Sequence, residues 1–151
     1  MPDMERTCVL VKPDGVGKQL IGKVIDRMER AGLKLIALKM TRLSRAQAEQ
    51  FYSEHVGKPF YPPLVAFMTA APIVAMALEG PAAVKTARAL MGATDSAKAE
   101  AGTLRREYGT DNRYNFVHGS DSPESAAREV QFFFKSEELF QYKEDDWKVE
   151  L

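Results

Sequence analysis

The sequence predicts an α+β fold: one four-stranded antiparallel sheet built in the order β-α-β-β-α-β, the split pattern of ferredoxin-like folds, with an extra C-terminal helix and a tail. Three observations lead there. Four short β-rich runs stand at Thr7 to Val11, Leu33 to Met40, Pro72 to Leu78 and Asn115 to His118. Segments of helical period and helix-start signals separate them, and the β-α-β-β-α-β order holds when the two extra short helices between the second and third runs are set aside. A final helix pattern follows the last run. Helices packed on one face of the sheet are the expected layering.

In chain order, the first strand ends in a turn from Pro13 to Gly17. Leu20, Ile21, Val24, Ile25 and Met28 then recur at helical spacing with Lys23, Asp26, Arg27 and Glu29 between them, and Gly32 closes the helix. After the second strand, Ser44-Arg45-Ala46-Gln47 has the form of a capping box, opening a helix that carries Phe51, Tyr52 and His55. Pro59, Pro62 and Pro63 punctuate the next stretch, where Leu64 to Met68 fits a short helix. The third strand leads to Gly80-Pro81, which opens a helix with Val84, Ala87 and Met91 inward. From Gly92 to Tyr114 the chain is polar and aperiodic, and a loop of that length is functional or disordered. Ser122 and Pro123 form the cap and first residue of a helix reaching Phe134, with Glu124 in its first turn and a buried stripe of Ala126, Ala127, Val130, Phe133 and Phe134.

A length of 151 residues suits one domain spanning 1–151, with a core that needs neither staples nor metals. The 21 basic residues balance the 21 acidic ones, so no global field favours nucleic acid or an anionic membrane, and any phosphate affinity has to be local. The single cysteine, Cys8, excludes a disulfide within one chain and fits a small buried hydrophobe. No run of about eighteen apolar residues is present for a membrane span, and the N-terminal stretch from Met1 to Arg6 lacks an apolar signal segment. A cytoplasmic protein is expected.

Several familiar motifs fail. Gly15-Val16-Gly17-Lys18 lacks the first glycine and the hydroxyl residue of a Walker A loop, because Lys12 and Gln19 stand there, and Leu20 replaces the third glycine of a dinucleotide loop. Ser120, His118 and Asp121 are too close in sequence for triad geometry and lack Gly-x-Ser-x-Gly. Two histidines and one cysteine far apart give no zinc spacing, so no protein-held metal is expected.

The segment Asn115-Phe116-Val117-His118-Gly119-Ser120-Asp121-Ser122 carries more. It delivers His118 from an apolar strand into a polar, glycine-bearing corner before a helix. Free backbone N–H groups there face anions, and imidazole is the side chain suited to proton and phosphoryl chemistry near neutrality. Such a nucleophile needs its second ring nitrogen held by a partner. Glu129, on the margin of the last helix's apolar stripe, can reach inward to do so. Val9-Leu10-Val11-Lys12-Pro13-Asp14-Gly15-Val16 is a second strand ending in a charge and a turn, and an idle lysine there is unusual.

Together these two segments resemble nucleoside diphosphate kinases, and the likeness runs from about Arg6 to Trp147. The resemblance implies ping-pong transfer of a γ-phosphoryl group from a nucleoside triphosphate to a nucleoside diphosphate through phosphohistidine at His118. It further implies that Glu129 orients His118, that the Ser120 hydroxyl bonds to Glu129, and that the Tyr52 hydroxyl lies near the phosphorylated nitrogen. By the same resemblance Lys12, Arg88, Arg105 and Thr94 contact phosphates, Asn115 reaches the sugar hydroxyls and Lys12, and Phe60 stacks on the base beside Leu64. Mg²⁺ is expected to come with the nucleotide's phosphates, and broad base tolerance follows from stacking. Ser96 and Ala101 stand where relatives carry prolines, which predicts a looser loop by about 0.4 to 1 kcal/mol per site. Arg106 replaces a usual glycine, Asn112 a commonly apolar residue, and His55 stands near the nucleotide cleft, offering a pH-sensitive contact or none.

Relatives form hexamers or tetramers, and the tail ending Asp146-Trp147-Lys148-Val149-Glu150-Leu151 resembles that of the hexameric group. A hexamer is expected, with the 92–114 loop at the trimer contact and Tyr142 and Trp147 buried against a neighbour instead of their own chain. Two other readings share the fold: a non-catalytic nucleotide- or nucleic-acid-binding interaction protein, which would be free to lose site residues, and a phosphohistidine relay to proteins.

Overall fold

The computed structural model describes residues 4–150; Met1 to Asp3 of the N-terminal stretch and Leu151 of the tail lie outside them. Its elements run β1 (Met4–Val11), α1 (Pro13–Gly17), α2 (Ile21–Arg30), β2 (Lys34–Thr41), α3 (Arg45–Phe51), α4 (Tyr61–Thr69), β3 (Ile73–Pro81), α5 (Ala83–Met91), α6 (Leu104–Tyr108), β4 (Val117–Gly119) and α7 (Pro123–Phe133). The four strands form one sheet in the order β2-β3-β1-β4, and every neighbouring pair is antiparallel. This is the ferredoxin-like arrangement. The two strands adjacent in sequence, β2 and β3, pair through a bulge at Ile36, whose carbonyl is taken by the backbone N–H of Phe140 at 3.0 Å.

The central strands are apolar at nearly every position, and that decides the layering. Cys8, Leu10, Ala75 and Ala77 face one side, where Ala48 of α3, Val65 and Met68 of α4 and Val130 and Phe133 of α7 cover them. Val9, Val11, Val74, Met76 and Leu78 face the other, against Val24 and Met28 of α2, Ala83, Ala87 and Met91 of α5, and Leu104. Helices therefore lie on both faces of the sheet, not on one as expected. Near-continuous apolar runs are the mark of a strand buried on both faces. Fully burying a side chain such as Leu10 stabilises by about 1.5 to 3 kcal/mol, and each face offers several.

Local chemistry sets most helix ends. Ser44 Oγ accepts from Gln47 N at 3.1 Å while the Gln47 side chain accepts from Ser44 N at 2.9 Å, completing the capping box. Ser122 and Ser125 cap α7 in the same reciprocal way at 3.0 and 3.1 Å. Gly32 takes φ +88, open to glycine, just after α2. Several details differ from expectation: the last strand is Val117–Gly119 instead of Asn115 to His118, and α3 ends at Phe51, before Tyr52 and His55. Pro13–Gly17 is a short helix instead of a plain turn, since Pro13 fits a first helical position and Val16 N reaches Lys12 O. The strand runs on to Pro81, and α5 starts only at Ala83, with Glu5 of β1 accepting from Val84 N at 2.9 Å. Ala127 is exposed, so the stripe on α7 is Ser125, Ala126, Val130 and Phe133 with Glu129 buried among them.

Candidate active site

β4 pairs with β1 so that His118 lies opposite Leu10, on the sheet face covered by α3 and α7. One turn before it, Phe116 holds φ +51 while fully buried, and Val117 N bonds back to Asn115 O at 2.7 Å. A left-handed conformation costs an L-residue roughly 1 to 2 kcal/mol, and here it turns the chain sharply between Asn115 and His118. Lys12 N donates to Phe116 O at 2.8 Å, which locks the end of β1 to the same corner.

Glu129 is buried on α7, and its Oε1 lies 2.9 Å from His118 Nε2 and 2.7 Å from Ser120 Oγ, accepting from both. A carboxylate only accepts, so Nε2 carries the hydrogen and Nδ1 keeps its lone pair. Among the described residues Nδ1 has no hydrogen-bond partner. Ser120 Oγ in turn accepts from Cys8 N at 3.2 Å, and Ser120 N donates to Cys8 O at 3.0 Å, tying the group to β1. Burial, reinforced by Glu129, pushes the Cys8 thiol up, consistent with an inert hydrophobe.

His118 opens into a cleft of about 740 Å³ with two chemically distinct ends. At one end Lys12 Nζ donates to Asn115 Oδ1 at 2.8 Å, and Asn115 Nδ2 donates to Thr94 O at 2.8 Å and Asn112 O at 3.2 Å. Both amide donors are thus used within the chain, and the oxygen keeps one acceptor site. Arg105 is buried, with Nη1 on Gly92 O at 3.0 Å and Nη2 on Val117 O at 2.6 Å, while Arg88 Nη1 holds Gly119 O at 3.1 Å. Burial, then Arg105, pulls Lys12 down to about 8, against the opposing pull of Asp14. Burial, then Arg88, lowers Arg105 to about 10. Three crowded cations in low dielectric form a site that wants an anion.

The other end is aromatic. Phe60 is 46% exposed beside Leu64, with its ring 5.2 Å from that of His55. His55 lies in a 3-10 turn, with Nδ1 3.2 Å from Lys58 Nζ, so it is packed into the cleft wall and not solvated on a helix. Arg113, Tyr114 and Asp121 also line the cleft, and the Tyr114 ring lies 5.3 Å from that of Phe67 on α4. Arg113 and Tyr114 did not stand out in sequence, because the loop that carries them has no period to read.

Of the predicted site residues, only Tyr52 and Ser120 do not line the cleft. Ser120 stands behind Glu129. Tyr52 caps the end of α3 with its hydroxyl buried and, among the described residues, without a partner; burial and then Glu129 push its phenol up. Arg106 lies outside the cleft and donates to Ala97 O at 2.8 Å.

A family model described as "Nucleoside diphosphate kinase" matches residues 5–139. The chain is 52% identical over 149 residues to a nucleoside diphosphate kinase of Carboxydothermus hydrogenoformans, covering 97% of this chain and 100% of that one. Two solved structures are also similar. A halophilic nucleoside diphosphate kinase from Halobacterium salinarum in complex with CDP superposes with a TM-score of 0.91 at 43% identity, over 95% of each chain. The Aquifex aeolicus nucleoside diphosphate kinase gives 0.89 at 42% identity, over 91% of this chain and 100% of that one.

Proposed function

The chain belongs to the nucleoside diphosphate kinase family, and on that premise we propose that His118 is the residue that carries the phosphoryl group. A member of this family is a phosphotransferase that moves the γ-phosphoryl of a nucleoside triphosphate to a nucleoside diphosphate by a ping-pong route through phosphohistidine. In the first half, the Nδ1 lone pair attacks the γ-phosphorus. The bond from phosphorus to the bridging oxygen breaks, and the diphosphate leaves with its electrons. The Nε2 hydrogen stays on its bond to Glu129, whose charge steadies the ring as it becomes cationic. A second diphosphate then reverses the step in the same cleft. The observation that carries this reading is the 2.9 Å contact from Glu129 to Nε2, which leaves Nδ1 as the basic nitrogen.

Phosphoryl transfer spreads charge over the equatorial oxygens, so the protein's part is positioning and cationic stabilisation. Lys12, Arg88 and Arg105, with Thr94, meet the phosphates. Carbonyl bonds clamp the two arginines and leave further guanidinium donors for the ligand. Asn115 aligns Lys12 and exchanges a carbonyl for the sugar hydroxyls. Phe60 stacks on the base with Leu64 beside it, which tolerates every base. Tyr52 brings its hydroxyl near the phosphorylated nitrogen, a role supported by that hydroxyl having no hydrogen-bond partner among the described residues.

Kinases of this family use a divalent cation, and we assign Mg²⁺. Among the described residues no group of three or more His, Cys, Asp or Glu stands ready to hold a metal, and the phosphate end is cationic. The donor set fits an ion brought by the nucleotide, since Mg²⁺ keeps most of its waters and binds phosphate oxygens. When bound it neutralises charge on the phosphates. No helix among the described residues is long and apolar enough to cross a membrane; we assign the protein to the cytoplasm as part of this reading. Assembly into a hexamer completes the proposal.

The test is incubation with a γ-labelled triphosphate. Acid-labile label on the wild type and none on His118→Asn is the expected result; label retained on the variant would overturn the assignment.

A further inference from the structure

We propose that Phe51 is a positioning residue for His118, its ring setting the plane of the imidazole while Glu129 sets its position. The proposal rests on the reading of His118 as the nucleophile. Held at Cγ by its covalent bond and at Nε2 by one hydrogen bond, the ring is still free to rock about the line between those atoms, which swings Nδ1. In-line attack needs the lone pair aligned with phosphorus at about 3 to 3.5 Å. A second constraint is required, and Phe51 provides it.

The Phe51 and His118 rings meet at 71° with centroids 5.7 Å apart, an edge-to-face contact. Among the described residues no other aromatic ring is paired with His118. Phe51 is braced in turn by Tyr52 at 4.9 Å, Phe132 at 5.2 Å and Phe133 at 5.4 Å. Phe132 and Phe133 lie three and four residues after Glu129 on α7, so they share its surface of the helix. The carboxylate that holds Nε2 and the rings that hold Phe51 therefore move as one body. Phe51 itself is the last residue of α3, whose opposite end is fixed by the capping box.

The experiment measures phosphoenzyme formation at saturating triphosphate, diphosphate affinity by calorimetry, and the imidazole ¹⁵N spectrum. Phe51→Leu keeps apolar volume and removes the ring; Phe51→Tyr keeps the ring. For Phe51→Leu the expected result is a phosphorylation rate lower by about tenfold to a hundredfold, as for a displacement under 1 Å, with Kd unchanged and a spectrum that keeps the Nε2–H tautomer held by Glu129 while its imidazole signals broaden as the ring rocks. Phe51→Tyr should keep the wild-type rate. If the leucine variant fails to fold, Phe51→Met, whose flexible chain fills the gap, carries the same expectation. A wild-type rate in the ring-less variants, or equal losses in rate and affinity, would overturn the proposal. Absence of label on the wild type would instead overturn the nucleophile reading.

Discussion

At Lys12, burial and function pull in opposite directions. Burial, with Arg105 next to it, lowers its amine to about 8, although phosphate binding needs the charged form. Its folded value lies below the unfolded one, so between about 8 and 10.5 the unfolded chain holds a proton the folded chain does not, and Lys12's contribution to stability rises with pH through that window. A bound polyanion favours the charged amine, so nucleotide binding should take up a proton near pH 8 to 9 and weaken as pH climbs further. Calorimetry in two buffers of different ionisation enthalpy reads this directly; proton uptake that persists in Lys12→Arg, whose guanidinium stays charged, would assign it elsewhere. At the histidine, His118→Ala should abolish exchange and leave the circular dichroism spectrum intact. Glu129→Gln should slow turnover by about 10²-fold while nucleotide Kd holds, because orientation is lost and no substrate contact is. A change confined to Kd would contradict that role. The sequence made His118 and Glu129 legible because their placement is local: a strand-to-helix corner, and the margin of a helical stripe. The carbonyl clamps on Arg105 and Asn115 were not, since they depend on partners such as Gly92 and Thr94 brought close only by the fold.

The long segment between α5 and β4 shows where elements escape a sequence reading. Its α6 spans only five residues, a single turn, too short for an apolar period to declare itself. Thr103 caps it through its side chain at 3.3 Å, a signal that was present but is common in loops. Two-sided burial of the sheet was legible in principle from the unbroken apolar runs of β1 and β3. The same segment carries a stability prediction. Ser96 is 2% exposed, and its hydroxyl is buried without a partner among the described residues. It opens a 3-10 turn after Asp95, whose φ −81 and ψ 110 suit a residue before proline. Ser96→Pro removes the stranded hydroxyl and restricts the unfolded chain, at the loss of a long 3.4 Å bond to Asp111 O. A gain of about 1 kcal/mol, or roughly 2 to 4 °C in Tm for a chain of this size, is the expected outcome. A lower Tm would mean that the prolyl ring cannot fit against Gly109, where even an added Cβ would meet Ser96 Oγ at 2.0 Å.

At the scale of the whole molecule, the open question is what covers the outer strand and the tail. β2 is an edge of the sheet, with Leu38 50% and Met40 60% exposed, and a bare apolar edge is a pairing hazard that proteins cover. The tail divides into two parts. Its first part does fold onto its own chain, contrary to expectation: the Tyr142 hydroxyl donates to Leu35 O, and Lys34 Nζ donates to Tyr142 O at 2.6 Å and sits 4.9 Å from the ring centre. Ordered backbone carbonyls on β2 gave the phenol a partner that sequence could not reveal. Beyond Lys143 the pattern changes, with Trp147 74% and Val149 67% exposed. A tryptophan can bury 150 to 250 Å² or so, area the isolated chain does not use. If that area is buried between subunits of a hexamer, deleting everything after Lys143 should yield smaller species in light scattering. Tyr142 and its contacts remain in that variant, and none of the described residues it removes lines the cleft, so phosphoryl exchange should persist. A wild-type mass of two or four chains would refute the hexamer. A truncated protein that still holds six chains would refute the tail's role in the assembly.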